Sequence, residues 1–294
     1  MMENAVIGFG ELLWDMLPAG RQLGGAPANF CYQVMNQGLP ALPVSCIGND
    51  DLGREALHLL QKAGLETHGI ATSSSHPTGT VAVTLDDRGV PEYDIRQGVA
   101  WDHITLTPMA VETARTASAL CFGTLAQRSE QSAATLQTLF ELLPAGALRI
   151  FDVNLRQHYY SAEILKQGCH HADILKLNDD ELPIVCGLLG IAAPEDIRTP
   201  HDDRPHPDID KIRDHFNIGT VLVTCGARGS LVASNQGWSW LDSVKVDVVD
   251  TVGAGDAFTA GFVAGVLAGE SDSVAQSRAT NAAARACSHA GAMG

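Results

Sequence analysis

Short apolar runs alternate along this chain with stretches whose apolar residues recur at helical spacing. The pattern predicts a first strand at 6–10, a helix at 26–36, a strand at 44–48 and a helix at 52–63. Later apolar runs predict further central strands at 119–122, 148–153, 174–177 and 221–224. Such alternation is typical of α/β proteins with a mostly parallel sheet covered by helices on both faces. We expect one domain over residues 1–294.

Two segments break this alternation. Residues 12–17 and 78–95, the latter with a turn at 87–89, show the period-two pattern of antiparallel strands. We expect them to form a small projecting sheet, a lid built from about 12–23 and 78–100. The stretch 192–210 is rich in proline, histidine and acidic residues, which predicts an exposed surface insertion.

Charge and composition exclude several classes of partner. The formal net charge is −15, with 34 acidic against 19 basic residues, so no basic stripe is available for nucleic acid or an anionic membrane. No run of 18 apolar residues predicts a membrane span. The seven scattered cysteines include no C-x-x-C pair, which favours a reduced cytoplasm over a disulfide framework or zinc site.

The sequence DTVGAGD at 250–256 leads directly into an apolar helical stretch at 257–267. N–H groups at a helix start have no intrahelical partner, and the helix dipole favours an anion there by ~0.3–2 kcal/mol. Glycines let a ligand approach the backbone closely. The segment therefore predicts a phosphate site beside a base, Asp256. The alternative is an ordinary turn capped by Asp250 or Thr251 before a core helix.

A second glycine segment, GGAPAN at 24–29, places a diglycine before a helix start with a proline just inside it. Its backbone can touch a hydroxyl-rich ligand, and the Asn29 amide can both donate and accept. The alternative is a tight loop that caps a core helix. Asp15, in an alternating run, is a candidate acceptor for paired sugar hydroxyls, or else a surface charge.

Polar residues also follow three of the predicted strands. Asn178 and Glu181 come after the strand at 174–177 and would share a helix face, where they could position hydrated Mg²⁺. Alternatively, the pair is a capping box. Asp152, Asn154 and Arg156 share one alternation phase and offer oxygens and a cation. The turn TCGARG at 224–229 suits a nucleotide's ribose and phosphates, or is simply a turn.

Taken together, GGAPAN at 24–29, Asn178-x-x-Glu181 and DTVGAGD at 250–256 closely resemble the ribokinase-like (PfkB) sugar kinase family over essentially the whole chain. The resemblance implies a Rossmann-like αβα three-layer domain with a small β-sheet lid. It also implies ATP as phosphoryl donor, Mg²⁺ as cofactor and a sugar hydroxyl as acceptor.

The resemblance assigns roles to individual residues. Asp256 would be the catalytic base, and the anion hole would be formed by the amides of Gly253, Ala254, Gly255 and Asp256. The sugar would be bound by Asp15, Gly24, Gly25, Asn29, Arg96 and Arg156. The nucleotide would be contacted by Asn178, Thr224, Gly226, Gly229 and Asn281. Mg²⁺ would be held through water by Asn178 and Glu181.

Within the family, GELLWD at 10–15, GTLA at 123–126 and DVNLR at 152–156 look most like bacterial fructokinases, which implies conversion of fructose to fructose 6-phosphate. A 2-keto-3-deoxygluconate kinase is the alternative, with Arg96 and Arg156 holding the carboxylate. A further alternative is a non-catalytic sugar or nucleotide sensor of the same fold, and the presence of Asp256 argues against it.

Two family properties concern the whole assembly. Many relatives continue past the final helix and complete a monovalent-cation site there, whereas this chain ends at 291–294, which leaves potassium activation open. Some relatives dimerise through the lid sheet, so a homodimer is a further expectation.

Overall fold

Thirteen strands lie in the part of the chain that the computed structural model describes, residues 2–17, 20–85, 91–191 and 207–293. They are β1 (Val6–Phe9), β2 (Leu13–Leu17), β3 (Gly20–Gly24), β4 (Ala41–Gly48), β5 (Ile70–Ser73), β6 (Gly79–Leu85), β7 (Pro91–Ile95), β8 (Ala119–Phe122), β9 (Leu148–Asp152), β10 (Ile174–Asn178), β11 (Thr220–Thr224), β12 (Ser230–Ser234) and β13 (Gly237–Leu241). Nine of them form the central sheet, in the order β13-β12-β11-β10-β9-β8-β1-β4-β5. Only the pairings of β12 with its neighbours are antiparallel in that sheet.

Helices cover both faces of this sheet. Within the described ranges they are α1 (Ala26–Asn36), α2 (Asp51–Lys62), α3 (Pro108–Ala114), α4 (Glu130–Leu142), α5 (Ala162–His171), α6 (Glu181–Leu189), α7 (Pro207–Phe216), α8 (Ala254–Leu267) and α9 (Asp272–Cys287). Val6 of β1 belongs to the core cluster that contains Phe30 of α1 and Phe262 of α8. Its neighbour Ile7 belongs to the opposite cluster, with Leu139 of α4. Successive strand residues point to opposite faces, so the predicted three-layer α/β fold is confirmed.

A separate four-stranded sheet has the order β3-β2-β6-β7. The predicted small sheet is therefore confirmed, and each of its two segments contributes the expected antiparallel pair, β2 with β3 and β6 with β7. β2 pairs antiparallel with β3 and parallel with β6. Between them the chain passes through α1, β4, α2 and β5, and such a crossover brings the next strand back in the same direction. The turn predicted at 87–89 lies outside the described residues.

The prediction of a surface insertion at 192–210 is wrong for its last four residues. Residues 192–206 lie outside the described part of the chain, whereas α7 begins at Pro207. Ile209 and Ile212 are fully buried, and this apolar spacing holds the helix against the core. Residues 207–210 therefore belong to the main fold.

The carboxyl ends of β1, β8, β9, β10 and β11 meet at one edge of the central sheet, because these strands run parallel in register. Phe9 lies beside Phe122, and Asn178 lies beside Thr224. Open α/β sheets bind ligands at such an edge. The small sheet begins only a few residues after β1 and so stands next to it.

Candidate functional site

The start of α8 is open to an anion. Gly253 precedes the helix with a left-handed φ of 78°, and a Cβ there would lie 2.5 Å from Ala292 Cβ, so only glycine fits. The first-turn N–H groups of Gly255 and Asp256 have no intrahelical partner. The Ala254 N–H, expected in the anion hole, donates to the Thr251 carbonyl at 3.2 Å. Of the four N–H groups expected in the anion hole, Ala254 is therefore the one engaged by a backbone carbonyl within this turn.

The alternative prediction, that Asp250 or Thr251 caps α8, is wrong: the N-cap residue is Gly253, and no side chain caps the helix. Asp250 Oδ1 accepts from the Val252 N–H at 3.1 Å, and its Oδ2 accepts from the Gly291 N–H at 2.9 Å. These bonds hold the pKa of Asp250 below its usual range. Asp250 thus braces the loop against the C-terminal segment and leaves the helix start unoccupied by its carboxylate.

Asp256 in the first turn of α8 meets Asn29 of α1. Asn29 Nδ2 donates to Asp256 Oδ2 at 3.0 Å, and Asn29 Oδ1 is buried with no hydrogen-bond partner among the described groups. Burial, and next the Asp152 carboxylate, raise the pKa of Asp256 to about 7 against the opposing effects of Asn29 and Lys176. A carboxyl group that titrates near neutral pH, in a cleft, is a candidate proton acceptor.

The diglycine places Asn29 at this point. Gly25 has a φ of 124°, and a Cβ on it would overlap the Glu11 carbonyl oxygen. A Cβ on Gly24 would lie 2.7 Å from Asp15 Oδ2, so the backbone and this carboxylate are in close contact. Asp15 is half-buried on β2; burial raises its pKa, and the charge of Arg156 opposes the rise.

A small, partly open cleft lies between α1, the start of α8 and the carboxyl ends of β1, β8 and β9. Its acidic lining residues are Glu11, Asp152 and Asp256. Glu11 is buried, its Oε1 accepts from the Ala26 N–H at 3.2 Å, and burial raises its pKa. We gave Glu11 no role from the sequence. The available signal was a carboxylate inside an apolar run, because a buried charge requires partners.

A buried lysine, which we did not predict from the sequence, also lies beside the cleft. Lys176 is 6% exposed, and its Nζ donates to Asp152 Oδ1 at 3.0 Å. Asp152 Oδ2 accepts from the Thr259 hydroxyl of α8 at 2.9 Å. A single lysine in the middle of an apolar strand was the signal, because lysine is almost never fully buried without a partner.

The prediction that Asn178 and Glu181 share a helix face is wrong. Asn178 is the last residue of β10, and α6 begins only at Glu181. Asn178 Oδ1 accepts from the Glu181 N–H at 2.8 Å, and Glu181 Oε2 accepts from the Asn178 N–H at 2.8 Å. This is the reciprocal bonding of a capping box. Glu181 Oε1 accepts from the Leu155 N–H at 2.8 Å.

The side-chain oxygens of Asn178 and Glu181 were also predicted to hold a hydrated Mg²⁺. Within the described ranges, no three His, Cys, Asp or Glu residues cluster as a metal site. Each carboxylate oxygen has a second lone pair, so Glu181 can still orient water. Asn178 and Glu181 therefore fit a hydrated Mg²⁺ held through its waters, the ion's usual state in proteins.

The two predicted substrate arginines are exposed. Arg156 donates to the Leu155 carbonyl at 3.1 Å, and its charge lowers the pKa of both Glu11 and Asp15. Arg156 thus lies near the cleft. Arg96 follows β7, and its carbonyl accepts from Arg128 at 2.6 Å. That contact ties the end of the small sheet to the main fold.

The predicted nucleotide residues fall in two places. Thr224 ends β11 beside Asn178, and its carbonyl accepts from the Asp179 N–H at 3.0 Å. The next turn contains Gly226, with a φ of 57°, and Gly229, with a φ of 134°. Asn281 lies apart on α9, exposed, and donates to the Ser277 carbonyl at 2.9 Å.

These features define an α/β protein with a cleft at the carboxyl edge of its sheet, where the start of α8 lies beside the buried cluster of Asp152, Lys176 and Asp256. The chain belongs to the pfkB family of carbohydrate kinases, whose family model matches residues 17–294. No helix in the described residues is long and apolar enough to cross a membrane.

Individual relatives are similar over most of the chain. A fructokinase of Salmonella typhimurium is 28% identical over 286 residues, 88% of this chain and 83% of the relative. Fructokinase-1 of Zea mays is 30% identical over 273 residues, 86% and 80%. A crystal structure of a fructokinase with bound ATP from Xylella fastidiosa has a TM-score of 0.82 at 23% identity, covering 99% of this chain and 94% of that one.

Proposed function

We propose that this chain transfers the γ-phosphoryl group of ATP to the primary hydroxyl of a monosaccharide, with fructose as the first candidate. The observation that carries the proposal is Asp256, a carboxyl group titrating near pH 7 beside the open N–H groups of α8. The names of the Salmonella and maize relatives support fructose. The ATP-bound Xylella structure supports the donor.

Asp256 takes the proton from the attacking hydroxyl. Its carboxylate is half-buried in the cleft, and Asn29 fixes one oxygen, Oδ2, at 3.0 Å, which leaves Oδ1 for the substrate. General-base catalysis contributes about 10²–10⁴-fold to a rate. The hydrogen bond from Asn29 increases the rate further, because it orients the Asp256 carboxylate towards the attacking hydroxyl.

Charge on the transferring phosphoryl is stabilised by the helix start. The Gly253, Gly255 and Asp256 amides supply N–H donors, and the α8 dipole adds partial positive charge. Phosphoryl transfer depends mainly on positioning and electrostatic stabilisation, which rigid backbone donors provide. A bound Mg²⁺, held through water by Asn178 and Glu181, would neutralise charge on the donor's phosphates.

The sugar is held by residues on β2, at the end of β3 and in the first turn of α1. Asp15 accepts from paired hydroxyls, Asn29 Oδ1 accepts from another, and the Gly24 and Gly25 backbone lets the ring approach. The small sheet that contains Asp15 closes as a lid and excludes water from the reaction. The nucleotide lies towards Thr224, Gly226 and Gly229, and Asn281 of α9 stays a predicted further contact.

A 2-keto-3-deoxygluconate kinase is the second candidate. The charge of Arg156 acts on both Glu11 and Asp15, so its exposed guanidinium lies where a substrate carboxylate could pair with it. The acidic cleft lining favours the neutral sugar instead.

The test is ADP formation with ATP and Mg²⁺ across fructose, 2-keto-3-deoxygluconate, ribose and adenosine. We expect turnover on fructose and a fall in kcat of about 10²–10⁴-fold in Asp256→Asn. Asp247→Asn, which removes an exposed carboxylate, is the matched control and retains activity. Turnover only on the keto acid moves the assignment to the second candidate. Sugar binding without turnover on any acceptor refutes the kinase proposal and favours a sensor.

A further inference from the structure

Lys176 is the only lysine among the described residues that is buried, and the mechanism above does not use it. It lies on β10 between Leu175 and Leu177, whose side chains join the core on the far face of the sheet. Ile174, two residues away, packs on the α8 face. Because strand residues alternate, Lys176 also points towards α8.

The ammonium group of Lys176 lies against the first turn of that helix. A methyl group placed on Gly255 would come within 3.2 Å of Lys176 Nζ. On its other side, Nζ donates to Asp152 Oδ1 at 3.0 Å. Lys176 therefore lies between a cleft carboxylate, Asp152, and the first turn of α8, which contains Asp256.

Asp152 is held from both sides. Its second oxygen accepts from the Thr259 hydroxyl, which lies one helical turn after Gly255 and also donates to the Gly255 carbonyl at 3.0 Å. Lys176, Asp152 and Thr259 thus form a closed polar group that spans β10, β9 and α8. Each member has a partner, which is the condition for stable polar burial.

Several groups surround the Asp256 carboxylate. They are Glu11 after β1, Asn29 of α1, Cys121 of β8, Asp152 of β9 and Lys176 of β10. Two of them are carboxylates, and neighbouring carboxylates in a shared site resist simultaneous ionisation. Lys176 is the cation of this set.

We propose that Lys176 is a positioning residue for the Asp256 base: by pairing with Asp152 it offsets the repulsion between the Asp152 and Asp256 carboxylates. The inference rests on the proposed kinase function. Lys176 Nζ and Asp152 Oδ1 lie 3.0 Å apart with both side chains buried, and buried charges persist in proteins when they are paired in this way.

The experiment is the pH profile of kcat/KM for the acceptor sugar, whose acidic limb reports the base in the free enzyme. In Lys176→Met we expect that limb to move up by about one pH unit or more, because an opposite charge at this range shifts a pKa by about that amount. At pH 6.5, kcat/KM then falls about tenfold. Lys62→Met, an exposed lysine on α2, is the matched control and leaves the limb in place.

A second variant tests the opposite sign. In Asp152→Asn the repelling charge is removed and Lys176 remains, so the limb moves to lower pH, whatever happens to the maximal rate. This variant also decides the matter if Lys176→Met does not fold. A uniform loss of activity with the acidic limb unmoved, in either folded variant, overturns the proposal and assigns Lys176 to structure alone. If Asp256→Asn retains full turnover, the limb does not belong to Asp256, and the proposed function fails instead.

Discussion

Replacing Asp256 by asparagine is expected to stabilise the fold at neutral and alkaline pH while it removes activity. Burial is the main cause that raises the pKa of Asp256 from 3.8 to about 7, so ionising this group costs the native state free energy. Two pH units between pH 5 and 7 correspond to about 3 kcal/mol. The carboxylate is half-buried and water in the cleft screens part of the charge, so we expect about 2 kcal/mol.

The sign follows from proton binding. In the unfolded chain this group ionises near pH 4, whereas in the native protein it holds its proton until about pH 7. Between these values the native state binds the additional proton, so wild-type stability falls as pH rises. Above about pH 7 the loss is complete. The asparagine variant has no such titration, and it keeps the hydrogen-bonding capacity of the side chain towards Asn29.

The assay is urea unfolding of both proteins at pH 5 and pH 8, with the free energies of unfolding compared at each pH. The stability of Asp256→Asn relative to wild type should be about 2 kcal/mol greater at pH 8 than at pH 5. The exposed Asp247→Asn should show no such change. An equal difference at both pH values, or a wild type favoured at pH 8, would refute the claim that Asp256 is held at an energetic cost.

Two further predictions concern the supports of the site. Gly25→Ala should lose more than about 3 kcal/mol of unfolding free energy and raise the KM for sugar, because the new Cβ would overlap the Glu11 carbonyl oxygen. Gly20→Ala is the control: Gly20 has a similar φ of 134° but no atom within 4 Å of the new Cβ, so this variant should lose only about 1 kcal/mol. Arg128→Lys should lower the free energy of unfolding in urea by about 2 kcal/mol, because lysine cannot keep both hydrogen bonds, 2.8 and 3.0 Å, that Arg128 donates to the buried Asp102 carboxylate. The control is Arg54, whose ion pair with Asp51 is exposed, and Arg54→Lys should change stability by under about 0.5 kcal/mol. Equal losses within either pair would contradict the corresponding prediction.

Local signals account for the parts of the site that were predicted in detail. α1 spans 26–36 as expected, and its start follows from the diglycine and the proline at the first helical turn. Gly253 likewise marks the start of α8, because only glycine suits its backbone conformation and packing. For Asn178 and Glu181 the sequence allowed either a capping box or a magnesium site. The capping hydrogen bonds are present, and the magnesium role stays a prediction.

The order of strands and helices was determined by the sequence itself, because hydrophobic periodicity and turn residues act over a few neighbouring positions. The tertiary structure alone decided that Asn29 and Asp256, 227 residues apart, meet at 3.0 Å, and that Lys176 pairs with Asp152. It also decided the parallel pairing of β2 with β6. Burial and Coulomb energy depend on distance through space, so the properties of the proposed base arise only when the distant strands and helices pack together.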